Sequence, residues 1–128
     1  MHEEICPFDY AVIRLVPRVE REEFFNVGVI VSCPARKFLE AGIELDEEKL
    51  KAFAPALDAE TIERYLEIIP KICAGDEAAG VIGRLKPRER FYWLTAQRST
   101  IIQTSPVHTG FCADPREMLR RLFDKMVR

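Results

Sequence analysis

Residues 8–19 alternate with a period of two. Ala11, Ile13 and Leu15 fall on one side, and Tyr10, Val12, Arg14, Val16 and Arg18 on the other. That alternation is the mark of a strand. Pro17 near its end predicts an edge position or a bulge. A charged turn, Arg18-Val19-Glu20-Arg21-Glu22-Glu23, leads to a second strand over 25–33. There Phe25, Val27, Val29, Val31 and Cys33 share one face, and Gly28 on the other marks a bulge or a close backbone approach. After Pro34-Ala35-Arg36-Lys37 a third strand covers 38–45, with Leu39, Ala41, Ile43 and Leu45 inward. Three strands with short connections predict an antiparallel meander.

The period then lengthens. Asp46 caps a short helix to about Phe53, stopped by Pro55. Asp58 opens a longer one whose stripe is Ile62, Tyr65, Leu66, Ile69, Ile72 and Cys73. Pro70 inside that stripe predicts a kink or a break near Ile69, and Gly75 a stop. Residues 76–89 read as a loop. Residues 90–96 alternate again, Phe91, Trp93 and Thr95 against Tyr92 and Leu94, and predict a strand paired with 99–105 through a hairpin at Gln97-Arg98. Residues 106–113 read as loop. Asp114, Pro115 and Glu117 then form the start of a last helix, with Met118, Leu119, Leu122, Phe123, Met126 and Val127 as its buried face. The order β-β-β-α-α-β-β-α predicts an α+β fold: an antiparallel sheet of about five strands with two to three helices packed on one face.

Composition adds limits. At 128 residues with 48% hydrophobic content, the chain is one domain with a proper core. Nineteen basic against twenty-one acidic residues leave a net charge of −2, which argues against a dedicated nucleic-acid binder. No apolar run approaches the roughly 20 residues of a membrane span. The acidic start, Met1-His2-Glu3-Glu4, has no signal core, so a cytoplasmic location is expected. Cys6, Cys33, Cys73 and Cys112 are far apart with no CxxC pair, and read as plain reduced thiols; no metal and no cofactor is expected.

Candidate chemistry concentrates at 98–110. His108 in Val107-His108-Thr109 is half of a two-histidine phosphoesterase pattern, but His2 has no matching threonine. No G-x-S-x-G presents a serine, and Gly110 separates Cys112 from His108. No catalytic constellation is complete; an enzyme would have to use His108 as general acid or base. Anion binding is a better fit. Arg98 provides a bidentate fork. Ser99, Gln103, Ser105 and Thr109 provide neutral donors, and Arg14 adds charge if its strand lies alongside. The same residues also read as strand formers that satisfy one another in a tight turn. Arg84, Lys86, Arg88 and Arg90 form a basic loop beside Tyr92 and Trp93. Those on the last helix pair with Glu117 and Asp124 as a solvated face.

Phe8-Asp9-Tyr10-Ala11-Val12-Ile13-Arg14, Phe25-Asn26-Val27-Gly28-Val29-Ile30, Arg98-Ser99-Thr100, the run Gln103 through Gly110, and Leu122-Phe123-Asp124 together resemble a bacterial family known as domain of unknown function 3037. The resemblance marks Arg14, Asn26, Gly28, Arg98, Ser99, Gln103, Ser105, His108, Thr109 and Gly110. It brings no assigned activity. It implies a neighbour resembling the HipA-type Ser/Thr kinases, and with it a non-enzymatic role as adaptor, inhibitor or substrate. Ser99, Thr100, Thr104 and Ser105 are then the candidate phosphoacceptors or kinase contacts. The alternative is a protein that binds or acts on a phosphorylated small molecule or nucleic acid through residues 98–110.

Overall fold

The computed structural model describes residues 4–21, 23–98 and 100–128. Its centre is a strand, β1 (Cys6–Arg18), paired antiparallel with β2 (Glu23–Cys33), which pairs in turn with β3 (Phe38–Ile43). The meander is as predicted. Asp46 caps α1 (Glu47–Phe53) by accepting the Lys49 N–H at 3.1 Å. Of the expected stripe of α2 (Ala59–Ala74), Ile62, Leu66, Ile69, Ile72 and Cys73 lie in the core while Tyr65 is exposed, and Gly75 ends the helix. Pro70 does not split this helix. Ile69 before it and Ile72 and Cys73 after it bury into the same core, and that packing holds the helix through the missing backbone donor.

The second half departs from expectation. The segment expected as loop holds a 3-10 turn at Glu77–Ala79, a single helical turn α3 (Gly80–Gly83) and the start of α4 (Pro87–Thr95). The strand predicted over 90–96 is therefore a helix. Pro87 sits in its first turn, and Arg90, Phe91 and Leu94 form its buried side while Tyr92 and Trp93 face outward. Spacing of three and four, not two, was the operative period. No hairpin forms at Gln97-Arg98. Instead β4 (Ile102–Thr104) and β5 (His108–Cys112) both pair antiparallel with the free edge of β1. What read as a loop over 106–113 is largely strand, hydrogen-bonded to a distant partner. The Asp114 cap of α5 (Pro115–Met126) is as predicted, accepting from the Arg116 and Glu117 N–H groups. The Glu117 side chain turns instead to Arg120 and Arg121.

The fold is thus α+β with a five-stranded antiparallel sheet ordered β3-β2-β1-β4, and β5 beside β4 on the same edge of β1. Among the described residues it carries five helices rather than two or three, and they cover both faces. α2 and α4 share a core with Ile13, Leu15, Phe25, Val27 and Ile30, while α5 packs with Phe8, Val29, Val31 and Cys33. A bulge allows this. Ile13 pairs with Gly28 but Arg14 pairs with Asn26, so Val27 is extra and the alternation of β2 flips there. The five residues expected on one face are divided two and three between the cores. Gly28 is required at that point, because a Cβ would sit 2.5 Å from the Gly42 carbonyl oxygen. Asn26 in turn donates to the Met126 carbonyl at 2.9 Å, tying the end of α5 to the bulge. Among the described residues no helix is long and apolar enough to cross a membrane.

Arg90 is 8% exposed and holds α2 against α4. Its guanidinium donates to the carbonyls of Ile72 and Cys73 at the end of α2, and its Nε to Leu85. The Ile72 carbonyl also accepts the Gly75 N–H at 3.1 Å, whereas the Cys73 carbonyl lies past the end of the helical ladder and relies on Arg90. Arg90→Ala is expected to lower the unfolding free energy by about 2–3 kcal/mol, the cost of buried acceptors left unpaired. Urea unfolding measures it. Arg90→Lys is expected to recover only part, because a single ammonium cannot serve both ends of the fork.

Candidate functional site

The 98–110 segment divides between the two faces of the sheet. Arg98 is not a hairpin tip. Its guanidinium donates to the carbonyls of Leu94 and Ala96 at 3.2 and 3.4 Å and to that of Trp93, and it lies 4.4 Å from the centre of the Trp93 ring. It caps α4. Ser99 lies outside the described residues. Thr100 donates to the Ile102 carbonyl, and Gln103 to the Thr100 carbonyl, both at 2.8 Å. Thr104 reaches the Thr95 carbonyl at 3.4 Å.

Ser105 has a structural task. Between the Ile13–Thr104 and Tyr10–His108 pairs, residues 105–107 face only Ala11 and Val12. Such a bulge leaves a ladder group without its usual partner. The Ser105 hydroxyl oxygen accepts the Val12 N–H at 2.9 Å and its proton goes to the Pro106 carbonyl. At 3% exposed it is no accessible phosphoacceptor. Beyond the break, a Cβ at position 110 would meet the Phe8 ring at 2.9 Å, so only glycine lets that ring lie on β5.

Thr109 faces the α2–α4 side. It donates to one oxygen of Asp9 at 2.6 Å, and Arg88 from α4 pairs with the other while donating to Ser32 at 2.9 Å. Burial acts to raise the Asp9 carboxyl, but the hydrogen bonds of Thr109 and Arg88 and the Arg88 charge outweigh it and hold it below its ordinary 3.8. Arg88 and Arg90 of the basic loop are therefore engaged within the fold.

Arg14 and His108 are what remains, and they share the other face with Gln103, whose amide already donates to Thr100. Arg14 is paired across the ladder with Gln103, and Tyr10 with His108. The Tyr10 and His108 rings lie 5.2 Å apart. The Arg14 guanidinium rests 4.2 Å from the centre of the half-exposed Phe24 ring, and its buried Nε has no hydrogen-bond partner among the described residues. Tyr10 and Arg14 are four residues apart on one strand, about 13 Å at strand rise. Arg98, Gln103 and His108, with Arg14 alongside, are thus not brought to one point.

A second cluster escaped the sequence entirely. Cys6 begins β1, Cys33 ends β2 and Cys112 ends β5; the pairing brings all three Sγ atoms within 4.8 Å of one another. The Cys6 and Cys33 sulfurs are 3.3 Å apart. Burial, reinforced by the Cys6 thiol, pushes Cys33 up to about 11, and burial raises Cys112 as well. Nothing in the spacing 6, 33, 112 signals this; only the register of three strands does. All four cysteines are free and buried, and Cys73 lies apart from the other three, in the α2 core.

The sheet, its helices on both faces and a signature concentrated on one sheet edge define a small α+β domain of a single kind. The chain belongs to the family described as protein of unknown function (DUF3037), whose model matches residues 10–127. The resemblance drawn from the motifs is borne out. Neither a curated protein nor a solved structure matches the chain. Within the signature, Asn26, Gly28, Arg98, Ser105, Thr109 and Gly110 hold the fold together, whereas Arg14 and His108 have no such task.

The depressed Asp9 carboxyl gives a signed prediction. Its contribution to stability is complete above its ordinary 3.8 and is lost as pH falls through the lower folded value. Thermal melts of wild type and Asp9→Asn are expected to differ most at neutral pH and to converge as the pH is taken down through about 4. A constant gap would contradict the Thr109–Asp9–Arg88 network.

Proposed function

We propose that this protein is a non-enzymatic partner that docks another protein along β5, and that the HipA-like Ser/Thr kinase implied by the family resemblance is that partner. The observation that carries the reading is the outer edge of the sheet. Among the described residues β5 is paired only with β1, so its other edge offers backbone groups for pairing. Phe111 and Ile5 are each 70% exposed beside it, with Val107 43% exposed. An open sheet edge with exposed apolar side chains invites an added strand from another chain unless something covers it. The adaptor, inhibitor and substrate roles differ in outcome: bridging to a third protein, loss of kinase activity, or phosphate transferred to an exposed hydroxyl such as Thr100.

Co-expression with the kinase is expected to give a complex that elutes as one species and alters kinase activity. Phe111→Glu and Ile5→Glu, both at exposed positions, are expected to weaken it by roughly tenfold, near 1.4 kcal/mol each. A pair that never co-elutes, with kinase activity unchanged, ends this reading.

A second reading has one specific observation behind it, the unpartnered Arg14 Nε beside Gln103. On this reading the open face holds a phosphate-bearing ligand, with Arg14 as its charge, Gln103 as a neutral donor and His108 at the far end. A thermal-shift screen of nucleotides and short RNAs is expected to find a ligand whose stabilisation disappears in Arg14→Ala and persists in Arg98→Ala. Equal shifts in wild type and Arg14→Ala would exclude it.

A further inference from the structure

We propose that Cys6, Cys33 and Cys112 form a three-thiolate site for one thiophilic d10 cation, Zn²⁺ or Cu⁺. The site is built by tertiary structure. Cys6 and Cys112 are direct ladder partners across β1 and β5, and Cys33 arrives from the far end of β2. All three are buried, yet their sulfurs face one another and not separate apolar neighbours. Metal–sulfur bonds of about 2.3 Å require sulfurs roughly 3.8–4.0 Å apart. The Cys6–Cys33 separation of 3.3 Å and the 4.8 Å limit on the whole set bracket that value. Ligation needs movements of well under an ångström on average.

The alternative is three small apolar side chains packed together. Two features go beyond packing. The Cys6 and Cys33 sulfurs contact each other at 3.3 Å, and each otherwise reaches only a carbonyl at 3.5 Å, so neither is committed outside the cluster. In addition, the turn Pro34–Arg36 directly after Cys33 brings a cationic side chain, Arg36, to this end of the sheet. Its guanidinium is held in place by the Glu4 carbonyl. A nearby cation is one of the outer-shell features that tune thiolate metal centres.

Loading is not a redox step. Three S–H protons leave to solvent, and each sulfur gives a lone pair to the metal. Zn²⁺ leaves the thiolate set at one net negative charge, which Arg36 balances; Zn²⁺ also has a fourth position to fill from solvent. Cu⁺ leaves two negative charges and suits an all-sulfur soft set. The two ions share the chemistry, and titration separates them. The site does not depend on the docking role proposed for the β5 edge.

The test uses the full chain, reduced, stripped with chelator and handled without oxygen. Zn²⁺ and Cu⁺ are titrated separately against competing chelators, with Co²⁺ as an optical reporter of the Zn²⁺ geometry. One ion per chain is expected, with an intense thiolate-to-cobalt charge-transfer band. Cys6→Ser, Cys33→Ser and Cys112→Ser are each expected to weaken binding by at least about a hundredfold, beyond the cost of losing an outer-shell partner. Cys73→Ser, in the opposite core, is expected to bind as wild type. Circular dichroism checks that each variant is folded, and the wild-type titration decides the matter without them. Uptake of neither ion by reduced wild type, or uptake that survives all three single replacements, overturns the proposal. So does a Cys6–Cys33 disulfide in freshly alkylated protein combined with failure to take up metal after reduction.

Discussion

β1 is hydrogen-bonded along both edges and packed on both faces, and most of the architecture follows from that. A strand of this kind cannot leave backbone groups or side chains unpartnered, because buried amides without partners cost more than most contacts contribute. One edge is satisfied by β2. The other needs an antiparallel partner almost as long, and the chain supplies it in two pieces, β4 and β5, joined by a bulge. Ser105 takes the donor that the bulge strands. Both faces need a layer, so α2 and α4 occupy one and α5 the other.

Arginines carry much of the joining between these layers. Arg90 closes the end of α2, Arg98 closes the end of α4, and Arg88 joins α4 to β1, β2 and, through Asp9, to Thr109 on β5. Each is a charge-assisted contact to carbonyl or carboxylate oxygens at helix ends or sheet faces. The cations that looked available for phosphate or nucleic acid are therefore largely engaged. A family signature dense in polar residues need not be a ligand site. Here it describes mainly how a broken edge strand and a following helix are held to β1. Arg14 and His108 are exceptions, and they lie on the face that α5 leaves accessible.

The two ends of β1 carry different chemistry. Near its start, Cys6 meets Cys112 and Cys33 in a closed pocket of sulfur. Near its end, Arg14 and Phe24 present charge and aromatic surface. The outer edge of β5 runs from the cysteine end past His108, so a protein docked there would contact the polar face and cover the strand that carries Cys112. Burial of the thiols and exposure of the edge are both consequences of where β5 stops.

The sequence by itself determined the elements whose period and caps are local: the three-strand meander, the Asp46 and Asp114 caps, the stop of α2 at Gly75, and the role of Gly28. It also carried the family. Short segments whose hydrogen bonds go to remote partners were not legible. Residues 90–96 satisfy a period of two as well as a helical one, and only burial of Arg90, Phe91 and Leu94 against α2 chooses the helix. β5 is five residues long and mostly exposed, so it lacks an apolar pattern; the free edge of β1 makes it a strand. The division of Arg14 and His108 from Arg98 and Thr109 depends on which face each residue reaches after two bulges, and a single-residue slip moves every later side chain to the other side. Convergence of Cys6, Cys33 and Cys112 needs the register of three strands at once, and that exists only when the sheet is closed.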